Sequence, residues 1–257
     1  MTSIPAATVI LLKAQDAGPP LILMAERARH LAFAGGALVF PGGRVDAADI
    51  TTARTPSLAQ GFETLAHEDA AARITAARET LEETGLLLSS GPLPDPQMLA
   101  HARAMLASGP DSAEACTYAA TLAALAHHVD ASRLHPYGIW EPPAAAPIKR
   151  RFHTRFYVVD VTGNAQTTSA DGYEAVSIHW LTAAQVLENQ ASELVFPTRC
   201  VLARLAAHAS VEAILADSNS HYIQPEIRER DGQPWLTIPT GLGYPHTEEP
   251  LASVRRE

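Results

Sequence analysis

The stretch Leu38 to Arg44, LVFPGGR, runs a short apolar segment into a proline and a pair of glycines. Proline lacks an N–H and cannot continue an internal ladder, so the strand predicted over Ala37 to Phe40 ends there. Further along, Ala77 to Leu88, ARETLEETGLLL, places Glu79, Glu82 and Glu83 among good helix formers, with Gly85 as a natural stop. On a helix those acids share one face, with β-carbons about 5–6 Å apart. Carboxylates that close repel and raise one another's pKa. A solvated surface tolerates this; a divalent cation removes it, and Mg²⁺ or Mn²⁺ takes oxygen ligands. Taken singly, the glycines mark a turn and the acids an exposed helix face. Their order (strand, glycine turn, acidic helix, apolar segment) is what narrows the choice.

Charge and cysteine content exclude several classes. With 19 Lys and Arg against 28 Asp and Glu, the net charge of -9 argues against a nucleic-acid footprint. An anionic small molecule remains compatible, because metal ions and a few arginines can reverse the field in one pocket. Cys116 and Cys200 form neither a disulfide framework nor a tight metal pair, which favours a reducing compartment. The opening MTSIPAATVILLK does not read as a signal peptide, and no stretch is long and apolar enough to span a membrane. The expected location is the cytoplasm, without a membrane or nucleic-acid partner; a homodimer is an open option.

The rest of the chain reads as a single α/β domain over 1–257 with excursions. Apolar runs at Ala7–Leu12 and Leu21–Met24 are the first strand pair. Val45 to about Gln60 lacks a strong period and is read as a surface excursion, part of an insertion over 45–70. Helix is predicted from near Glu63 to Thr84, with a break near His67, then a strand-like LLL. Helices over Pro96–Ala107 and Ser112–His128 make a helical insertion at 93–135. Strands follow at Arg151–Val161 and Val176–Trp180, then a helix with Thr182 as N-cap and another over Arg199–Leu215. The extension 216–257 contains Asp231-Gly232 between two extended pieces, a hairpin signal.

The strand, PGGR turn and RETLEETG helix resemble the Nudix hydrolase family. Arg78, Glu79, Glu82, Glu83, Gly85 and Leu86 match the second half of its signature, with Thr80 at a position that is usually apolar. Ala70 stands where the family commonly places a further glutamate. AGGALVFPGGRVDAAD, Trp140 with Pro142, RRFHTRFYVV and VSIHWLTAAQVL resemble the branch of peroxisomal coenzyme A diphosphatases and their bacterial relatives, which carries an insertion after the glycines. Ala34 replaces a histidine of the coenzyme A signature.

The resemblance implies an α/β/α sandwich with a mixed sheet and helical insertions. It implies a diphosphatase in which Glu79, Glu82, Glu83 and the Gly43 carbonyl hold Mg²⁺ or Mn²⁺, while Gly42 and Gly43 shape the diphosphate pocket. The general base is a signature glutamate or one from a later loop, for which Glu174 is the candidate. Arg44, Arg151 and Arg155 could clamp phosphate through their forked donors. The implied substrate is coenzyme A or an acyl derivative; ADP-ribose, NADH and a noncatalytic nucleotide-binding module are the alternatives.

Overall fold

The computed structural model describes residues 3–30, 35–107, 117–144, 150–190 and 194–253; Ala34 and Cys116 lie outside them. The chain opens with β1 (Ile4–Lys13) and β2 (Leu21–Arg27), an antiparallel pair joined through a loop bearing Gly18 and two prolines. These strands diverge after a short pairing. β3 (Leu38–Val39) then pairs with the far end of β2, and β4 (Gly42–Arg44) with β1. The glycine turn is therefore built into the sheet. Pro41 falls between the two short strands, where no ladder N–H is required.

After β4 come α1 (Ala47–Ala53), β5 (Ala59–Gln60) and the 18-residue α2 (His67–Thr84). Next are α3 (Pro96–Ala107), α4 (Tyr118–Leu125) and β6 (Val129–Asp130), with β6 pairing β5 in parallel. β7 (His135–Trp140), β8 (Phe152–Asp160) and β9 (Ala175–Thr182) return to the main sheet. Its order is β10–β7–β8–β1–β2–β3, with β4 on β1 and β9 on β2. β8 runs parallel to β1 over nine register pairs, Ile4 with Phe152 through Leu12 with Asp160. β10 (Asn219–Ile223) is parallel to β7, and the remaining pairings are antiparallel, so the sheet is mixed.

Alternate side chains of the central strands feed two cores, as the two-residue strand period requires. Val9, Leu11, Leu23, Tyr157 and Val159 pack with Ile74, Ala77 and Leu81 of α2 and with Leu122 of α4. Ile10, Leu12, Met24, Phe156 and Val158 pack on the other face with α5 (Ala183–Gln190), α6 (Phe196–Ala206) and α7 (Val211–Ala216). The result is the α/β/α sandwich. The C-terminal part adds β11 (Glu226–Arg230), β12 (Gln233–Thr237) and β13 (Glu248–Pro250) as a separate three-stranded sheet. Asp231 and Gly232 both have positive φ, 52° and 73°, as a two-residue hairpin turn needs.

Several sequence expectations change. Val45–Gln60 is packed: α1 buries Asp49, Thr52 and Ala53 against α2, and Ala59 is buried too. Asp46 and Asp49 form a reciprocal capping box, which starts that helix where apolar period gives no signal. α2 begins at His67, without the preceding turn. Leu86–Leu88 are buried in the first core without joining a ladder. Described helix in the 112–128 region is confined to Tyr118–Leu125. The helix expected over Arg199–Leu215 is two helices, with Ser210 capping the second by accepting from the Ala213 amide at 3.2 Å. Thr182 accepts from the Gln185 amide as expected, and Gln185 returns the bond to the Thr182 amide.

Candidate active site

β4 lies beside α2 because each supplies what the other lacks. A Cβ on Gly43 would stand 2.2 Å from Oε1 of Glu79, so a side chain there collides with the carboxylate. A Cβ on Gly42 would stand 2.3 Å from the Ala7 carbonyl oxygen and 2.8 Å from Thr8 Cα, both backbone of β1. The double glycine thus permits close approach on two sides. The Gly42 amide donates to Glu83 Oε2 at 3.3 Å.

Arg78 organises the remaining acids. Its Nε and Nη2 donate to Oδ1 and Oδ2 of Asp49, both at 3.0 Å. Nη1 meets Glu79 Oε1 at 2.8 Å and both oxygens of Glu82 at 3.2 Å, while Nη2 also donates to the Arg44 carbonyl at 3.0 Å. Asp49 is 1% exposed, and its Oδ2 accepts from Thr75 at 2.8 Å. The sequence reading placed Arg78 in the signature and missed Asp49. The capping-box spacing Asp46-x-x-Asp49 was the available signal.

Burial dominates the titration of the three glutamates. It pushes the Glu79 carboxyl up to about 7, with Glu82 and Glu174 adding to the rise and Arg78 opposing it. Glu83 is driven well above the carboxylate range by burial and then by Glu79, against the pull of Arg27. Glu82 is raised as well, burial again leading. These are sites that favour a proton or a cation over a bare charge.

Glu174 reaches the same region from the loop before β9. Asp171 Oδ1 accepts from the amides of Tyr173, Glu174 and Ala175 at 2.8–2.9 Å, which fixes that loop. The Glu174 carboxylate lies 3.5 Å from Arg27 Nη2. Arg27 Nε is buried with no hydrogen-bond partner among the described residues. Arg103 of α3 ties the frame together, donating to the Glu82 carbonyl at 2.9 Å and to the Ser169 hydroxyl and carbonyl at 2.8 Å each.

The phosphate-clamp candidates fall in different places. Arg44 is exposed at the end of β4. Arg155 is paired in register with Ala7, whose other neighbour is Gly43, so it lies on the α2 face of the sheet. Arg151 is engaged elsewhere, its Nη1 and Nη2 donating to the Pro143 and Pro142 carbonyls at 2.8 and 2.6 Å. His153 pairs with Glu141 at 3.8 Å and stacks on Tyr222. Trp140 belongs to the second core.

The donor set of Glu79, Glu82, Glu83 and the glycine backbone is all oxygen, which suits a hard divalent cation. Among the described residues, no three His, Cys, Asp or Glu side chains converge on a coordination point. Glu79 and Glu82 instead turn to Arg78, and Glu83 to the Gly42 amide. Among the same residues, no helix is long and apolar enough to cross a membrane.

Known proteins share the architecture that carries these residues. A family profile described as the NUDT19 Nudix domain matches residues 52–198. A NUDIX hydrolase from Alicyclobacillus acidocaldarius superposes with a TM-score of 0.71 at 27% identity, covering 86% of this chain and 98% of that one. A MutT protein from Methanosarcina mazei Go1 gives 0.42 at 12% identity, covering 80% and 94%. An Ap4A hydrolase from C. elegans gives 0.41 at 10%, covering 79% and 96%. At those scores the last two likenesses carry nothing about this chain's chemistry.

Proposed function

The chain belongs to the Nudix hydrolase family, and from that premise we propose a metal-dependent diphosphatase whose substrate is coenzyme A or an acyl derivative. The family acts on nucleoside diphosphates linked to another moiety and generally depends on Mg²⁺ or Mn²⁺. The observation that carries the reading is the contact of Gly43 with Glu79. A turn without side chains is pressed against a buried carboxylate, in a site where acids outnumber the one arginine they share.

In this reading Glu79, Glu82, Glu83 and the Gly43 carbonyl hold the cation. When bound, it neutralises phosphoryl oxygens and lowers the pKa of an attacking water. The chain's own residues supply the rest. Arg27 adds positive charge beside Glu174, and Gly42 and Gly43 leave room for the diphosphate beside α2. Arg155 contributes positive charge on the α2 face, whereas Arg44, in register with Ala6, leaves β4 on the other face. Glu174 accepts the proton of the attacking water, held at its post by the Asp171 bonds. Arg151 donates to the Pro142 and Pro143 carbonyls and braces that segment. Water attacks phosphorus, the phosphoanhydride breaks, and coenzyme A yields 4′-phosphopantetheine and 3′,5′-ADP.

The coenzyme A assignment is supported by the resemblance of the segments after the glycine turn and around Arg151 to Val159. Product masses from a panel of coenzyme A, acetyl-coenzyme A, ADP-ribose, NADH and dinucleoside polyphosphates test it. Cleavage of ADP-ribose alone would move the substrate and keep the chemistry. Binding without cleavage of any member, with Mg²⁺ or Mn²⁺ present, would favour a nucleotide-binding module.

A further inference from the structure

On the face of the sheet turned away from α2, a recess of about 280 Å³ opens between β2, β3, β9 and α5. Leu38 and Leu181 give it apolar walls, and Glu26, His179 and Asn189 give it polar groups. Glu26 and His179 are linked through Ser177. The Ser177 hydroxyl donates to Glu26 Oε2 at 2.7 Å, and its oxygen lies 2.8 Å from His179 Nε2. With its own proton on Glu26, the hydroxyl oxygen must accept, so the imidazole carries its proton on Nε2. Nδ1 of His179 and Oε1 of Glu26 then remain as acceptors without a bond among the described residues. Both side chains are about one-third or more exposed, at 41% and 35%, and can be reached.

We infer that this recess seats the base of the substrate and selects one carrying an exocyclic amine, with Glu26 and His179 accepting its N–H groups. The inference rests on the hydrolase reading, whose substrates carry a nucleoside. An array of acceptors favours an amino group and disfavours a keto oxygen, which would face lone pairs with lone pairs. The volume is near the lower end for small-molecule sites, roughly 300–1,000 Å³, which suits a ring and not a whole cofactor. β2 carries a residue of each site: Glu26 lines the recess, and Arg27 pairs with Glu174 on the side of the carboxylate cluster. Glu26 and Arg27 are consecutive, so their side chains leave on opposite faces, and the β2–β9 register shifts between them. Leu38 of β3 walls the recess just before the chain enters the glycine turn.

The experiment is calorimetric binding of AMP and IMP to the full chain, which differ at the amine and need no turnover. Wild type should bind AMP roughly tenfold more tightly than IMP, since a polar site rejects a mismatched group. Glu26→Gln keeps an acceptor for Ser177 and turns the other position into a donor, so the ratio should fall to near one or invert. His179→Ala should weaken AMP several-fold more than IMP. Equal binding of the two nucleotides by wild type, binding of neither, or a ratio unchanged in both variants would overturn the inference. The wild-type comparison stands even if a variant fails to fold. Hydrolysis of the diphosphate panel is scored separately: cleavage without base preference defeats only the recess assignment, and preference without cleavage defeats only the hydrolase reading.

Discussion

Arg78 grips Asp49 with a two-pronged hydrogen bond, Nε to Oδ1 and Nη2 to Oδ2, each 3.0 Å long. The pair is buried and joins α1 to α2. Removing one partner leaves the other charge uncompensated, at a cost of about 3–5 kcal/mol. Asp49→Ala should therefore lower the unfolding free energy obtained from urea titration by an amount of that order. It should also weaken Mn²⁺ binding, because Arg78 is then free to pair more fully with Glu79 and Glu82. A variant as stable as wild type would show that the α1 segment is not structurally coupled to the site.

The two glycines should fail differently. At Gly43 an added methyl meets the far end of Glu79, a side chain that can swing away. Gly43→Ala should lose about 1 kcal/mol of stability yet at least roughly 100-fold in kcat. At Gly42 the methyl meets backbone of β1, which cannot yield. Gly42→Ala should lose about 3 kcal/mol, the upper end of overpacking. Thermal melts and initial rates on the two proteins separate these outcomes.

Chelated protein should become less stable as pH rises from 5 toward 8, as far as these acids govern it. Glu79 titrates near 7 in the folded chain, above the ordinary glutamate value, and Glu83 is also raised. Between those pH values the folded state binds more protons than the unfolded one, so stability is present at low pH and lost through the folded pKa. Mn²⁺ or Mg²⁺ favours the ionised carboxylates and should flatten or reverse the slope. Melting temperatures at several pH values, with chelator and with metal, test this directly.

Glu174→Gln should reduce kcat by about 100-fold, with little effect on KM. Its ion pair with Arg27 is long and half-exposed, so the stability change should stay under about 1 kcal/mol. An unchanged kcat would return the proton-accepting role to a glutamate of α2.

Glu82→Gln and Glu83→Gln each keep volume and remove a ligand charge. Turnover should fall far more than folding stability, and burial of the raised Glu83 carboxyl predicts a slight gain in stability without metal at pH 8. Full activity of both variants with Mg²⁺ would reject the assigned cluster.

What the sequence made legible was what is local. Acids at helical spacing, a proline before two glycines and Asp231-Gly232 each act within a few residues, and the corresponding elements stand where they were expected. Asp49 was hidden because it meets Arg78 only across the packing of α1 on α2. Leu86–Leu88 read as strand, since an apolar run carries no record of whether its amides find a ladder. The break between α6 and α7 was written in Ser210, a cap inside a run of good helix formers. Arg151 has strand spacing with Arg155, but it precedes β8 and answers to two nearby carbonyls.

The three bonds of Arg103 have a mechanical meaning. Its guanidinium bridges the Glu82 carbonyl near the end of α2 to Ser169, in the loop that also holds Asp171 and Glu174. It is a strut of fixed length between two structures that are distant in sequence. Residues could be added to the outer part of the 162–168 segment without widening the gap, since the strut is anchored beyond them. The spacing between α2 and this loop is thus set at Ser169, by Arg103 and by the Ser169 amide donating to the Thr84 carbonyl, and is decoupled from the contour length of the loop.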